Sequence, residues 1–153
     1  MSACYAGTRM PKCYLLAVAS GSSLDQHSNN ITLFNLVEQL NFPKHKLPPA
    51  GAMLPLEVHA YFELDARELN QRVEVRFVLV AASGLETPTE THVHRSSTLR
   101  YRTRTMGLPA PPVAGSYDLH VDTRLEGEIV WARDPRSWPL HVVHTEPRPQ
   151  VTH

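Results

Sequence analysis

The run Arg72–Val80, "RVEVRFVLV", constrains this chain more than any other stretch. Val73, Val75, Phe77 and Leu79 alternate with Arg72, Glu74, Arg76 and Val78, the period of two expected of a strand with one buried face. Apolar and β-branched runs of similar length recur along the chain: "CYLLAVAS", "ITLFNLVEQLNF", "LPLEVHAYFEL", "STLRYRTRT", "GSYDLHVDTRL", "EIVWARD" and "WPLHVVHT". Turn chemistry rich in Pro, Asn, Asp and Gly divides them. The spacing predicts an all-β fold, an antiparallel β-sandwich of seven or eight strands with immunoglobulin-like or C2-like connectivity, a closed β-barrel being the alternative. The sandwich is expected over residues 12–145, between an N-terminal arm (1–11) and a C-terminal tail (146–153). In "ITLFNLVEQL" the residues Leu33, Leu36, Val37 and Leu40 also fit a helical stripe, but the β-branched start and the preceding Asn-Asn turn decide for a strand. The only helical element expected is a short turn near "DARELNQ".

With 153 residues the chain is long enough for one domain to bury a core without staples. Thirteen prolines against seven glycines suit many strand-ending loops. Fifteen basic and fifteen acidic residues cancel, so no overall field draws the protein to nucleic acid or to an anionic membrane, and any electrostatic site must be local. Only Lys12, Lys44 and Lys46 among the basic residues are lysines. Cys4 and Cys13 form no zinc or disulfide framework, and a reducing cytoplasm is the expected compartment. "CYLLAVAS" reads as a strand rather than a signal sequence, and no run reaches the ~20 apolar residues of a membrane-spanning helix. The "NIT" sequon at Asn30 is a chance match in a cytoplasmic setting.

"LDQHSNNITLFNLVEQLNFP" resembles the opening of a family of small uncharacterised bacterial proteins, through Asp25, Asn30, Thr32, Leu33, Phe34 and Glu38. "LPAPPVAGSYDLHV" is similar to the same family's approach to a late strand. The resemblance implies a sandwich and a bacterial origin and brings no activity with it. Independently of any family, Tyr117 after Gly115 is placed for a tyrosine corner, its hydroxyl turned back onto the Pro109–Gly115 loop where the chain crosses between sheets.

The chemistry-bearing residues are few. His92 and His94, at i and i+2 of a strand, point the same way and could chelate one ion, but no glutamate follows at the spacing cupin barrels use. His120 with Asp118 or Asp122 could complete that site only if the two segments meet. No serine stands in a nucleophile elbow, since Ser20, Ser22 and Ser83 read as strand ends. Cys13 reads as a core thiol, and Glu63 and Asp65 as solvated carboxylates. Trp131 and Trp138 flank an expected turn at Asp134–Arg136 and suit capping of the core better than a hot spot.

In "LRYRTRT" the residues Arg100, Arg102 and Arg104 fall on one outer face, while Leu99, Tyr101 and Thr103 turn inward. A hairpin with "YDLHVD" would set them against Asp118, His120 and Asp122. The loop and the tyrosine corner argue instead for a change of sheet. The function expected is therefore a non-catalytic binding or scaffolding module acting on a protein partner through an open sheet face or edge strand. No catalytic residue, no cofactor and no nucleic-acid or membrane contact is expected. The alternatives are a metal-dependent enzyme centred on His92 and His94, or an anion-binding surface at Arg100, Arg102 and Arg104.

Overall fold

Alternation of apolar and polar residues produces ten strands in the computed structural model, which describes residues 11–147 and 149. They are β1 (Lys12–Leu24), β2 (Ile31–Leu36), β3 (Gln39–Pro43), β4 (Met53–Glu63), β5 (Arg72–Ala81), β6 (Glu86–Pro88), β7 (His92–Arg95), β8 (Arg100–Pro109), β9 (Gly115–Leu125) and β10 (Ala132–Thr145). One sheet runs β2-β1-β4-β8. The other runs β3-β10-β9-β5-β6, with β7 pairing β5 beside β6; β3 runs parallel to β10, so this sheet is mixed rather than wholly antiparallel, and the strands number ten rather than seven or eight. The two ladders stay separate, so the architecture is a sandwich. Its β5-β9-β10 sheet and the adjacent β4 and β8 reproduce the C-F-G and B-E neighbours of the immunoglobulin fold. The expected arm lies outside the described residues apart from Pro11. Cys4 also lies outside them.

The inner faces supply the core. Val18, Val58 and Phe62 come from the first sheet and Val75, Phe77, Leu119, Val121 and Leu140 from the second, all essentially closed to solvent. The inward residues of "RVEVRFVLV" are buried as their period requires, and Val78 of the outward set is buried as well.

Several readings change in detail. "ITLFNLVEQLNF" is two strands, because the chain crosses between sheets at Val37. The Val37 amide donates to Val18 of the first sheet (2.8 Å), and the next carbonyl, Glu38, accepts from His141 of the second (2.7 Å). Asn35, at φ 48°, takes the left-handed conformation that the break requires. The expected turn at Asp134–Arg136 is an irregularity inside one long β10, held by Asp134 accepting from the amides of Arg136 and Cys13, each at 2.9 Å. "LETPTETHVHR", outside the runs counted as strands except for the extended "HVH", contains the short β6 and β7. The helical turn near "DARELNQ" is a single 3-10 turn, Ala66–Glu68, with Asp65 and Glu68 forming a capping box, and a second 3-10 turn, Lys44–Lys46, stands where none was expected.

The tyrosine corner is present. Tyr117, 8% exposed, donates from its hydroxyl to the Val113 carbonyl at 2.6 Å and accepts from the Val113 amide at 3.3 Å. It fixes the short segment 110–114 at the point where the chain passes from β8 in one sheet to β9 in the other. The expected crossing therefore holds, and the cross-strand ladder to Asp118, His120 and Asp122 does not form. Among the described residues no helix is long and apolar enough to cross a membrane.

Candidate functional site

The arginine row acquires its surroundings from the register of β8 on β4. Arg100 stands opposite Glu63, Arg102 opposite Tyr61 and Arg104 opposite His59, so these side chains share the outer face of the first sheet. On the other flank of β4, Tyr61 faces Leu15, His59 faces Ala17 and Glu57 faces Ala19. An outer face of this kind is normally wet. Here Glu57, His59 and Tyr61 are 6%, 1% and 7% exposed.

Their burial follows from the path of β1. This strand pairs with β4 from Lys12 to Ala19 and with β2 from Ala19 to Leu24. Its distal half and β2 form a hairpin that reaches over the face, since Arg102 donates to the Asn29 carbonyl at the hairpin turn (2.8 Å) and Arg104 to the Ser22 hydroxyl (3.4 Å). Asp25 holds that turn by accepting from the His27 amide and the Ser28 hydroxyl. Between hairpin and sheet lies a cleft of about 660 Å³, lined by the three arginines with Tyr14, Tyr61, His59, Ser22 and Ile31 among others. That size is in the range of small-molecule sites.

At the base of the cleft runs a chain of polar contacts. Glu57 Oε2 meets His59 Nε2 at 2.8 Å, and His59 Nδ1 meets the Tyr61 hydroxyl at 3.4 Å. The Ser22 hydroxyl, with the His59 ring and the Arg104 guanidinium, holds the Glu57 carboxyl below the usual carboxylate range, although burial opposes this. Burial raises the Tyr61 hydroxyl above its ordinary value against the pull of Arg102. The Arg100 guanidinium lies 5.9 Å from the Tyr14 ring and that of Arg102 5.8 Å from the Tyr61 ring, cation-π distances that draw both side chains across the face. Arg104 approaches Glu57 Oε1 at 3.9 Å.

The charges on this face do not cancel. Lys12, Arg100, Arg102 and Arg104 meet only Glu57 and Glu63, and among the described residues Arg100 and Arg102 have no carboxylate within ion-pair distance. The outer face of the second sheet differs. There Arg72 pairs with Glu126, Arg124 with Glu74, Arg76 with Asp122 (3.2 Å), and Arg133 with both Asp122 (2.8 Å) and Glu86 (2.6 Å). Trp131 lies on that face between Arg76 and Arg124, at 4.3 and 4.1 Å, while Trp138 packs against the core and donates to the Val37 carbonyl.

His92 and His94 do share one face of β7, with ring centroids 6.5 Å apart. Burial, then the neighbouring His92, pushes His94 below the usual histidine value. They pair opposite Val75 and Val73, on the inward side of the sheet, whereas His120 pairs opposite Val78 on the outward side, with β5 between. The two segments therefore do not converge. Among the described residues no three His, Cys, Asp or Glu side chains cluster as a metal site would require. Asp65 caps its turn, and Cys13 is a free, buried thiol.

Sequence reasoning singled out the arginines and missed Glu57, His59, Tyr61 and Ser22. "EVHAY" does carry polar residues at period two, the signal of an outward face. Nothing local reveals that a distant hairpin covers it. No family model matches the chain, and no curated protein matches it.

Proposed function

We propose that this protein is a non-catalytic binding module that recognises anionic groups through Arg100, Arg102 and Arg104. The observation that carries this reading is the excess of cations on one sheet face, at a cleft, in a protein whose other sheet face pairs Arg72, Arg76, Arg124 and Arg133 with carboxylates. Guanidinium groups bind carboxylates and phosphates through paired N–H donors, and all three arginines are exposed to a ligand. The tyrosine rings beneath Arg100 and Arg102 preorient them, which lowers the entropy lost on binding. His59 has both ring nitrogens engaged, by Glu57 and Tyr61, and suits support of the cleft floor better than proton transfer to a ligand. A buried free thiol at Cys13 fits the bacterial cytoplasm we infer as its setting.

Thermal unfolding with added pyrophosphate or citrate tests the reading. A ligand at a hundredfold excess over its Kd stabilises by about 2.7 kcal/mol. Wild type is expected to shift with either anion, less so as salt is raised, and the Arg100→Ala/Arg102→Ala/Arg104→Ala variant to stay unmoved. Equal shifts in both proteins, or none in wild type, would overturn it.

A further inference from the structure

Resting on that anion-binding reading, we infer that the anionic groups are carried by an extended acidic peptide segment, which adds as a strand along the free edge of β8. β8 ends its sheet and, among the described residues, pairs with β4 alone. Every second residue of such an edge offers its amide and carbonyl to a further strand. The arginines do not cover that edge. Their side chains lean the other way, over the sheet face, toward Tyr14, Tyr61 and the Asn29 carbonyl.

The periods match. Arg100, Arg102 and Arg104 recur about every 6.5–7 Å along β8, and a strand added beside them repeats its own outward side chains at the same interval. Cross-strand partners then stand about 5 Å apart at Cβ, and the exposed arginines reach a guest carboxylate by swinging from the tyrosine rings and the hairpin back toward the edge. A guest with an acidic residue at every second position meets all three arginines in register. A contiguous acidic run sends half of its charge to the opposite face, beside Tyr101 and the buried Thr103, where small β-formers such as threonine fit instead. In this mode main-chain bonds supply affinity and the alternate side chains supply selectivity.

Two other occupants fit less well. A second copy paired antiparallel through β8 about Arg102 would set arginine against arginine, which is unfavourable directly across a ladder. A single-stranded nucleic acid needs exposed rings on which bases stack, and Tyr61 is 7% exposed beneath the arginine row.

The test is fluorescence anisotropy with four labelled peptides: alternating Thr-Glu, a block of Thr followed by a block of Glu of the same composition, and the alternating peptide N-methylated at alternate amides in each of the two phases. The alternating peptide is expected to bind on the order of tenfold tighter than the block peptide and than the N-methylated peptide whose blocked amides face β8. The triple arginine-to-alanine variant should lose it. Equal binding of the alternating and block peptides, or indifference to N-methylation in both possible phases, overturns the added strand, and the pyrophosphate and citrate shifts then show whether anion recognition itself survives. If those shifts are also absent, both readings fail. The N-methylated peptides probe the backbone bonds on wild-type protein, so the outcome does not depend on a variant folding. Tighter binding of oligothymidylate than of any peptide, or a wild-type dimer on gel filtration that the alternating peptide cannot dissociate, also overturns the inference.

Discussion

Tyr117→Phe isolates the corner on which the crossing between sheets depends. The ring is 8% exposed and packs into the core, and phenylalanine keeps that packing, so only the hydroxyl is deleted. Two bonds go with it, the 2.6 Å donation to the Val113 carbonyl and the 3.3 Å bond accepted from the Val113 amide. The second is long and contributes little. A typical intramolecular hydrogen bond is worth about 0.5–1.5 kcal/mol net, and Val113 is 63% exposed, so its freed groups regain water. The expected cost is about 1 kcal/mol, or about 2–4 °C in Tm for a domain of this size. Urea unfolding followed by fluorescence measures it, and the dependence on urea should keep its slope because the surface exposed on unfolding is the same. Tyr117→Ala, which also empties the ring site, should cost about 3 kcal/mol or more. An unchanged midpoint in Tyr117→Phe would mean that the hydroxyl does not hold the loop, and the corner argument would fail.

Burial and the nearby Asp134 carboxylate push the Cys13 thiol up to about 11. A raised thiol value stabilises fully below the unfolded value near 9, and that contribution fades as pH rises from 9 through 11, by on the order of 2 kcal/mol. Urea midpoints of wild type should therefore fall over that window relative to Cys13→Ala, and parallel curves would refute the assignment. Glu57→Gln should lower the midpoint at neutral pH, because the depressed Glu57 value stabilises above the ordinary carboxylate range. The gap from wild type should close as pH falls through the folded value, and a gap that persists in acid would show that geometry rather than charge was lost. Asp122→Asn removes the carboxylate that joins Arg76 and Arg133, at a cost of about 2 kcal/mol, since both arginines are partly exposed and rehydrate. Trp131 emission should shift with it, because Arg76 lies over that ring. An unchanged midpoint would exclude a stabilising role for the network.

The strands were legible because their buried residues repeat at two, as at Val73, Val75, Phe77 and Leu79, and because solvent on the outward side leaves a mark in composition. The break at Val37 was not. Leu36 and Leu40 lie in different sheets, yet the Glu38-Gln39 pair between them is too short to read as a turn, and only Asn35 hints at the left-handed residue there. β6 and β7 escaped for another reason. They are short and pair at the margin of β5; β6 is exposed throughout, and the inward positions of β7 hold His92 and His94 rather than apolar residues, so hydropathy shows no strand. The arginine row could be read, since three identical charges at period two are local. The floor of the cleft could not, because the burial of His59 is imposed by Ser22 and Asn29, some thirty residues away, on a hairpin whose path depends on tertiary packing.

A net charge of zero argues against a global field and says nothing of how charge is partitioned. In this chain the partition follows the two sheets. On β5, β9 and β10 the register sets Arg76 across from Asp122 and Glu74 across from Arg124, so a charge on one strand meets its opposite on the next, and Glu86 completes the set at Arg133. On β4 and β8 the same outward positions hold His59, Tyr61, Arg102 and Arg104, and of the two carboxylates there, Glu57 and Glu63, the first is already shared with His59 and Ser22. Cross-strand pairing would stabilise the second arrangement as readily as the first, and substituting Tyr61 by glutamate would supply it. Among the described residues Arg102 bonds a single backbone carbonyl, and its strand pairs with β4 alone. A row placed there to guard the edge would only need to be charged. A row held over tyrosine rings and beside a hairpin has in addition a fixed spacing, which is what the proposed selection of an alternating acidic strand requires.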